Sequence, residues 1–318
     1  MTRAFVFPGQ GSQAVGMGRE LAEAFPSARL TFEEVDDALG RRLSRLMFEG
    51  PESDLTLTEN AQPALMAVSV AVLRVLKSEG GLDLSRHAAY VAGHSLGEYS
   101  ALCAAGTFNL SDTARLLRLR GVSMQQAVPV GEGAMAAILG ADLADVQAIA
   151  DQAAREGAAQ GDVCTVANDN APGQVVVSGH KAAVERAVRI AAEKGFKRAV
   201  MLPVSAPFHC PLMAPAADAM REALGKVVMH EPAVPVIANV TADAVSDPVR
   251  IRQLLVEQVT GRVRWRECVL RMKDLGVDTL VEVGAGKVLA GLTKRIDKEV
   301  QAVSINGPAD VESFLKTL

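Results

Sequence analysis

The chain has 318 residues, 49% hydrophobic and 22% charged, a balance that excludes wholesale disorder and suits one large domain or two moderate ones. Its 33 Lys and Arg against 37 Asp and Glu give a net charge of −4, with only 4% aromatics. A general nucleic-acid or membrane-surface binder would need more positive charge and more stacking surface. The four cysteines (Cys103, Cys164, Cys210, Cys268) form no Cys-x-x-Cys pair, so no metal site is expected and a reducing, cytoplasmic setting is. The N-terminal apolar run is too short for a signal peptide, and the longest apolar helical stretch, 64–73, is too short to span a bilayer.

Residues 4–7 read as a buried strand that stops at Pro8-Gly9, followed by the glycine-rich run Gly9-Gln10-Gly11-Ser12-Gln13. Helical periods follow over 26–39 and 61–77, then a strand over 89–92, a turn at Gly93-His94-Ser95-Leu96-Gly97 and a helix over 98–105. Ser111 is the expected N-cap of a helix running from 112 to about 127. After Pro129 the spacing changes. Strands are expected over 135–139, 163–167, 174–178 and 198–202, helices over 143–156 and 181–194, and a turn over 168–173. That order, β-α-β-β-α-β, is a ferredoxin-like unit. From 203 onward, helices over 212–227, 248–258, 266–275 and 288–295 alternate with strands over 234–238, 279–283 and 302–305. The expected fold is α/β. A large hydrolase-like domain with a mostly parallel sheet (1–128 and 203–318) carries an inserted ferredoxin-like domain (129–202).

Gly93-His94-Ser95-Leu96-Gly97 matches G-x-S-x-G and sits where that motif must sit, between an apolar strand and a helix. The glycines permit a tight turn that pushes the serine hydroxyl outward, and the helix N-terminus behind it favours developing negative charge. Such a serine needs a base. Of His87, His94, His180, His209 and His230, only His209 lies in a proline-stiffened loop (Pro203 to Pro211) where the two expected domains meet. A lone histidine is more often structural, so position alone does not decide. No acidic third member is evident, because Asp145 and Asp151, the acids considered between Ser95 and His209, fall on the small-domain helix. Gly9-x-Gly11-x-x-Ala14 loosely fits a dinucleotide fingerprint, but the acids that follow lie in a helical pattern. Gly284-Ala285-Gly286-Lys287 resembles a phosphate loop only superficially.

Taken together, Phe7-Pro8-Gly9-Gln10-Gly11-Ser12-Gln13, Gly93-His94-Ser95-Leu96-Gly97-Glu98-Tyr99-Ser100-Ala101, Arg118-Leu119-Arg120-Gly121, Asn168-Asp169-Asn170-Ala171-Pro172-Gly173 and Phe208-His209-Cys210-Pro211 resemble the malonyl-CoA:acyl carrier protein transacylases of bacterial type II fatty acid synthesis, in order along the whole chain. The resemblance implies Ser95 as nucleophile, His209 as base, and the Gln258 backbone carbonyl as its orienting group. The backbone N–H groups of Gln10 and Leu96 would form the oxyanion hole. Arg120 would bind the malonyl carboxylate, Met124 and Phe208 would line the acyl pocket, and Asn168 and Asn170 would contact coenzyme A. Arg115 and Arg118 share the helix with Arg120, and only the resemblance singles out Arg120. Pro207 replaces the Ala found before Phe-His in malonyl-selective relatives. Malonyl-CoA and acyl carrier protein are the implied partners of an expected monomer. No cofactor is implied, since coenzyme A arrives as part of the substrate. Thioester hydrolysis, extender supply to a polyketide pathway and a non-catalytic carrier-protein scaffold are the alternative uses of the same residues.

Overall fold

The computed structural model describes residues 1–204 and 206–318, leaving Ser205 of the loop before His209 outside the described residues. Its ten strands are β1 (Arg3–Phe7), β2 (Tyr90–Gly93), β3 (Gly133–Leu139), β4 (Cys164–Ala171), β5 (Gln174–His180), β6 (Arg198–Met201), β7 (Val236–Ile237), β8 (Ala244–Val245), β9 (Thr279–Val283) and β10 (Gln301–Ile305). They form two sheets. The larger runs β10-β9-β1-β2-β7-β8, with the first five strands parallel and β8 turning back antiparallel on β7. β1, β9 and β2 are buried along nearly all their length because helices cover both faces of this sheet. The smaller sheet is antiparallel throughout, in the order β4-β5-β3-β6.

One helix organises the large body. Thr58–Gly80 is 23 residues long and buried almost from end to end, packed against the helices Pro26–Leu39 and Leu110–Gln126. By length and hydropathy it passes for a membrane span, yet 83% of its apolar window is buried inside the protein. It is the core helix that the 64–73 stretch suggested, extended at both ends. Fully burying each of its Leu and Val side chains contributes on the order of 1.5–3 kcal/mol. The small sheet has its own core. Helices Leu143–Glu156 and Lys181–Glu193 bury Val146, Ile149, Val184 and Ile190 at helical spacing against one face of it.

Three expectations change. The N-cap of Leu110–Gln126 is Asn109, not Ser111: its Oδ1 accepts the Asp112 N–H at 2.7 Å, two residues before the expected cap. The 168–173 turn shrinks to Pro172-Gly173, because β4 continues through Asn168, Asp169 and Asn170, paired to β5 across two register shifts. β4 is also bound on its other side, where Asp169 N donates to Val263 O and Val263 N to Ala167 O. Short helices at Arg19–Ala24, Leu43–Glu49, Glu52–Thr56, Leu84–His87 and Pro308–Leu315 were not expected from the sequence.

Candidate active site

The parallel strands β1, β2 and β7 end at one place, and the residues that follow them build the site, as in open α/β sheets generally. After β2, Ser95 takes a positive φ of 53° on the turn into the helix Gly97–Ala104. Both flanking glycines are sterically required. A Cβ on Gly93 would lie 1.9 Å from Gly97 C and O, and one on Gly97 would lie 2.2 Å from Phe7 O. The turn is therefore wedged against β1.

Ser95 Oγ lies 2.7 Å from His209 Nε2, and His209 Nδ1 lies 2.9 Å from the Gln258 backbone oxygen. A carbonyl only accepts, so Nδ1 carries the proton and Nε2 is left to accept from the serine hydroxyl. His209 is buried and also sits at positive φ, 57°. Burial, with the nearby Arg120 cation second, pushes its imidazole down to about 3. It is therefore neutral at pH 7, the form a base must have. The missing acid is explained: a backbone carbonyl occupies its place.

A buried polar frame holds the turn. Asn239, just past β7, accepts the Ser95 N–H at 2.8 Å and donates to Gly93 O at 2.7 Å. Its own N–H bonds Glu98 Oε2 at 2.9 Å, and the Gln258 side-chain amide donates to Ser95 O and to Glu98 Oε2, both at 3.0 Å. Burial pushes the Glu98 carboxyl up to about 7 against the pull of these donors. Asn239 and Glu98 were not singled out in the sequence. A polar residue closing the apolar strand expected over 234–238 was the available signal.

Arg120 is 1% exposed. Its Nη2 donates to Ser95 Oγ at 3.1 Å and to Gln258 Oε1 at 2.9 Å, and its Nη1 to Gln62 Oε1 at 2.8 Å. The guanidinium carbon lies 5.8 Å from the centre of the Tyr99 ring. Nε has no partner, and among the described residues no carboxylate bonds this cation. Burial lowers its pKa. Arg115 and Arg118 are elsewhere, on Asp112 and beside Glu59 respectively.

Ser95, His209 and Arg120 open on a cavity of about 290 Å³. Gln10, Leu96, Met124, Phe208, Asn168 and Asn170 line it too, so every site residue expected from the sequence is at this cavity or, for Gln258, bonded to its members. Among the described residues, neither the Gln10 nor the Leu96 N–H has a protein acceptor. Asn170 is engaged at 2.8 Å by His94 Nε2, and the His94 ring lies against Trp265. His94 thus points away from Ser95, toward the small sheet. Gln62, unforeseen, joins Arg120 to the Met124 sulfur, 3.8 Å from its Nε2. The dinucleotide reading of 9–14 fails, since no helix begins before Arg19. No cluster of His, Cys, Asp or Glu that could hold a metal occurs among the described residues.

The fold and this constellation define a class, and comparison with known proteins agrees with it. Residues 4–308 match the family described as acyl transferase domain. The chain is 45% identical over 315 residues to the malonyl CoA-acyl carrier protein transacylase of Bacillus subtilis (strain 168), covering 99% of this chain and 96% of that protein. The crystal structure of an acyl-carrier-protein S-malonyltransferase from Bartonella henselae superimposes with a TM-score of 0.96 at 57% identity, covering 100% and 99% of the two chains. A malonyl-transacylase solved in complex with its type II polyketide acyl-carrier protein superimposes with a TM-score of 0.95 at 43% identity, covering 100% of both. This chain is an acyl transferase. It belongs to the malonyl CoA-acyl carrier protein transacylase family.

Proposed function

We propose that this protein moves a malonyl group from malonyl-CoA to the phosphopantetheine thiol of an acyl carrier protein through an ester on Ser95, supplying extender units for fatty acid synthesis. The observation that carries this reading is a neutral, oriented imidazole 2.7 Å from a serine hydroxyl that a buried arginine also touches. Ser95 Oγ attacks the thioester carbonyl as its proton passes to His209 Nε2. The tetrahedral oxyanion is held by the Gln10 and Leu96 N–H groups. Collapse breaks the C–S bond, and the coenzyme A sulfur leaves with the proton from His209. In the second half the carrier thiol gives its proton to His209 and attacks the ester carbonyl, and Ser95 takes the proton back as it leaves. Each step uses only groups of this chain, and coenzyme A comes and goes with the substrate. Arg120 pairs with the malonyl carboxylate by two parallel N–H···O bonds. Met124 and Phe208 bound the acyl pocket, and Asn168 and Asn170 meet the coenzyme A arm. The β-α-β-β-α-β run over 129–202 is read as an inserted ferredoxin-like unit that closes one side of this cleft, the rest being a hydrolase-like body.

Incubation with malonyl-CoA alone adds one malonyl group, and peptide mapping puts it on the Ser95 peptide. Ser95→Ala folds and takes none. Because the imidazole titrates near 3 instead of 6.5, the rate of adduct formation holds as pH falls below 6.5 and drops only as His209 gains its proton. Sequential kinetics with no adduct overturn the reading, and rapid malonate release with no transfer to a thiol makes the protein a hydrolase.

A further inference from the structure

Arg120 and Gln10 both line the cavity at Ser95, and a line of hydrogen bonds, buried except at its Gln10 end, joins them. Arg120 Nη1 donates to Gln62 Oε1 at 2.8 Å, Gln62 Nε2 to Thr58 Oγ1 at 2.9 Å, and Thr58 Oγ1 to Gln10 Oε1 at 3.0 Å. Thr58 and Gln62 are 2% and 1% exposed, so water does not compete for these groups. All three bonds run in one direction. A guanidinium only donates, so the Gln62 amide must turn its oxygen to Arg120 and its NH₂ to Thr58. The Thr58 hydroxyl accepts that bond and gives its single proton to Gln10 Oε1. Aligned bonds of this kind polarise one another in a low-dielectric interior.

The backbone fixes the same geometry. Thr58 and Gln62 are one turn apart on the Thr58–Gly80 helix. Gly121, next to Arg120, touches the first turn of that helix so closely that a Cβ there would lie 2.5 Å from Glu59 Cα and 2.7 Å from Thr58 O. Among the described residues the Thr58 hydroxyl is the only hydrogen-bond partner of Gln10.

We infer that Thr58 is a positioning residue that ties the carboxylate-binding Arg120 to the oxyanion-binding Gln10. It acts through Gln62 on one side and the Gln10 side chain on the other. This rests on the acyl-transfer reading above, in which the Gln10 N–H holds the tetrahedral oxyanion. Selection of the acyl group and stabilisation of its transition state are then parts of one bonded unit.

The test is single-turnover acylation of Thr58→Val, which keeps the shape and deletes the proton, and of Thr58→Ser, which keeps both hydrogen bonds. Thr58→Val lowers the acylation rate constant about tenfold while malonyl-CoA binding is unchanged, and Thr58→Ser stays within about twofold of wild type. A coupling measurement guards against a merely structural loss. With acetyl-CoA as donor, Thr58→Val costs less in an Arg120→Ala background than in wild type, because the anchor of the chain is already gone. Equal rates for Thr58→Val and wild type, equal loss in Val and Ser variants, or strictly additive effects with Arg120→Ala overturn the inference. Absence of any Ser95 adduct in wild type would instead overturn the acyl-transfer reading.

Discussion

The two sheets meet at one cavity and contribute to it in opposite ways. The body of the six-stranded sheet supplies Ser95 and its frame, the loop leading from β6 back to that body supplies His209, and both are residues under constraint. Ser95 and His209 are two of only three non-glycine residues at positive φ among those described. The polar groups that hold them are buried and bonded several times over. The four-stranded sheet supplies walls. Met135 and Val176 face the cavity from regular strands, and Asn168 and Asn170 from an irregular one, with no strained residue among them. Chemistry demands positions fixed to a fraction of an ångström, whereas a wall needs only shape. Substitutions on the two sides should therefore differ in kind: rate on the first, substrate binding on the second.

The largest effect belongs to Arg120. A buried cation built to meet a carboxylate rejects an analogue that lacks one by roughly 10⁴–10⁵. Arg120→Ala cuts malonyl transfer far more than acetyl transfer, as competition between the two donors will show. Arg120→Lys rescues poorly, since an ammonium has no bidentate fork. Equal loss for both acyl groups would place carboxylate recognition elsewhere and blur the comparison.

Asn239→Ala comes next. It orphans the Ser95 N–H and Gly93 O, each buried group costing about 1–3 kcal/mol. Melting temperature falls, and acylation slows by about 10- to 100-fold because the turn drifts from its attack geometry. The Michaelis constant for malonyl-CoA stays put. A rate unchanged in a stable variant would show that the turn holds itself.

The smallest effect tests the wall. Asn170→Ala removes the partner of His94 and one polar lining group. Malonyl-CoA binding weakens severalfold, within the roughly 0.5–1.5 kcal/mol of one hydrogen bond, while the single-turnover rate at saturation holds. A fall in that saturated rate would mean that the small sheet takes part in the chemistry.

Much of this was legible in the sequence because its signals are local. Gly93 to Gly97 form a turn that any reader of strand–turn–helix patterns would find, and helix 143–156 is bounded by its own periodicity. The reacting pair needed more. Ser95 and His209 are 114 positions apart, and the junction loop only favoured His209 over four other histidines until the resemblance decided it. Asn239, Gln62 and Thr58 escaped because their roles arise where separate segments pack, and nothing in a window around each residue announces a partner 48 to 146 positions away. The 168–173 turn was misjudged for the same reason. Asn, Asp and Pro suggested a loop, but pairing on both edges of β4 overrode that propensity.

The seam between β4 and the segment after Gln258 has a consequence for the cavity wall. Asp169 is wholly buried and paired with Arg266 at 2.9 Å, and the two backbone bonds to Val263 lie beside it. Parting the two bodies there would break this ion pair and both backbone bonds together. The seam thus stitches the edge strand of the small sheet to the large body, so the wall that carries Asn168 and Asn170 is anchored from both sides.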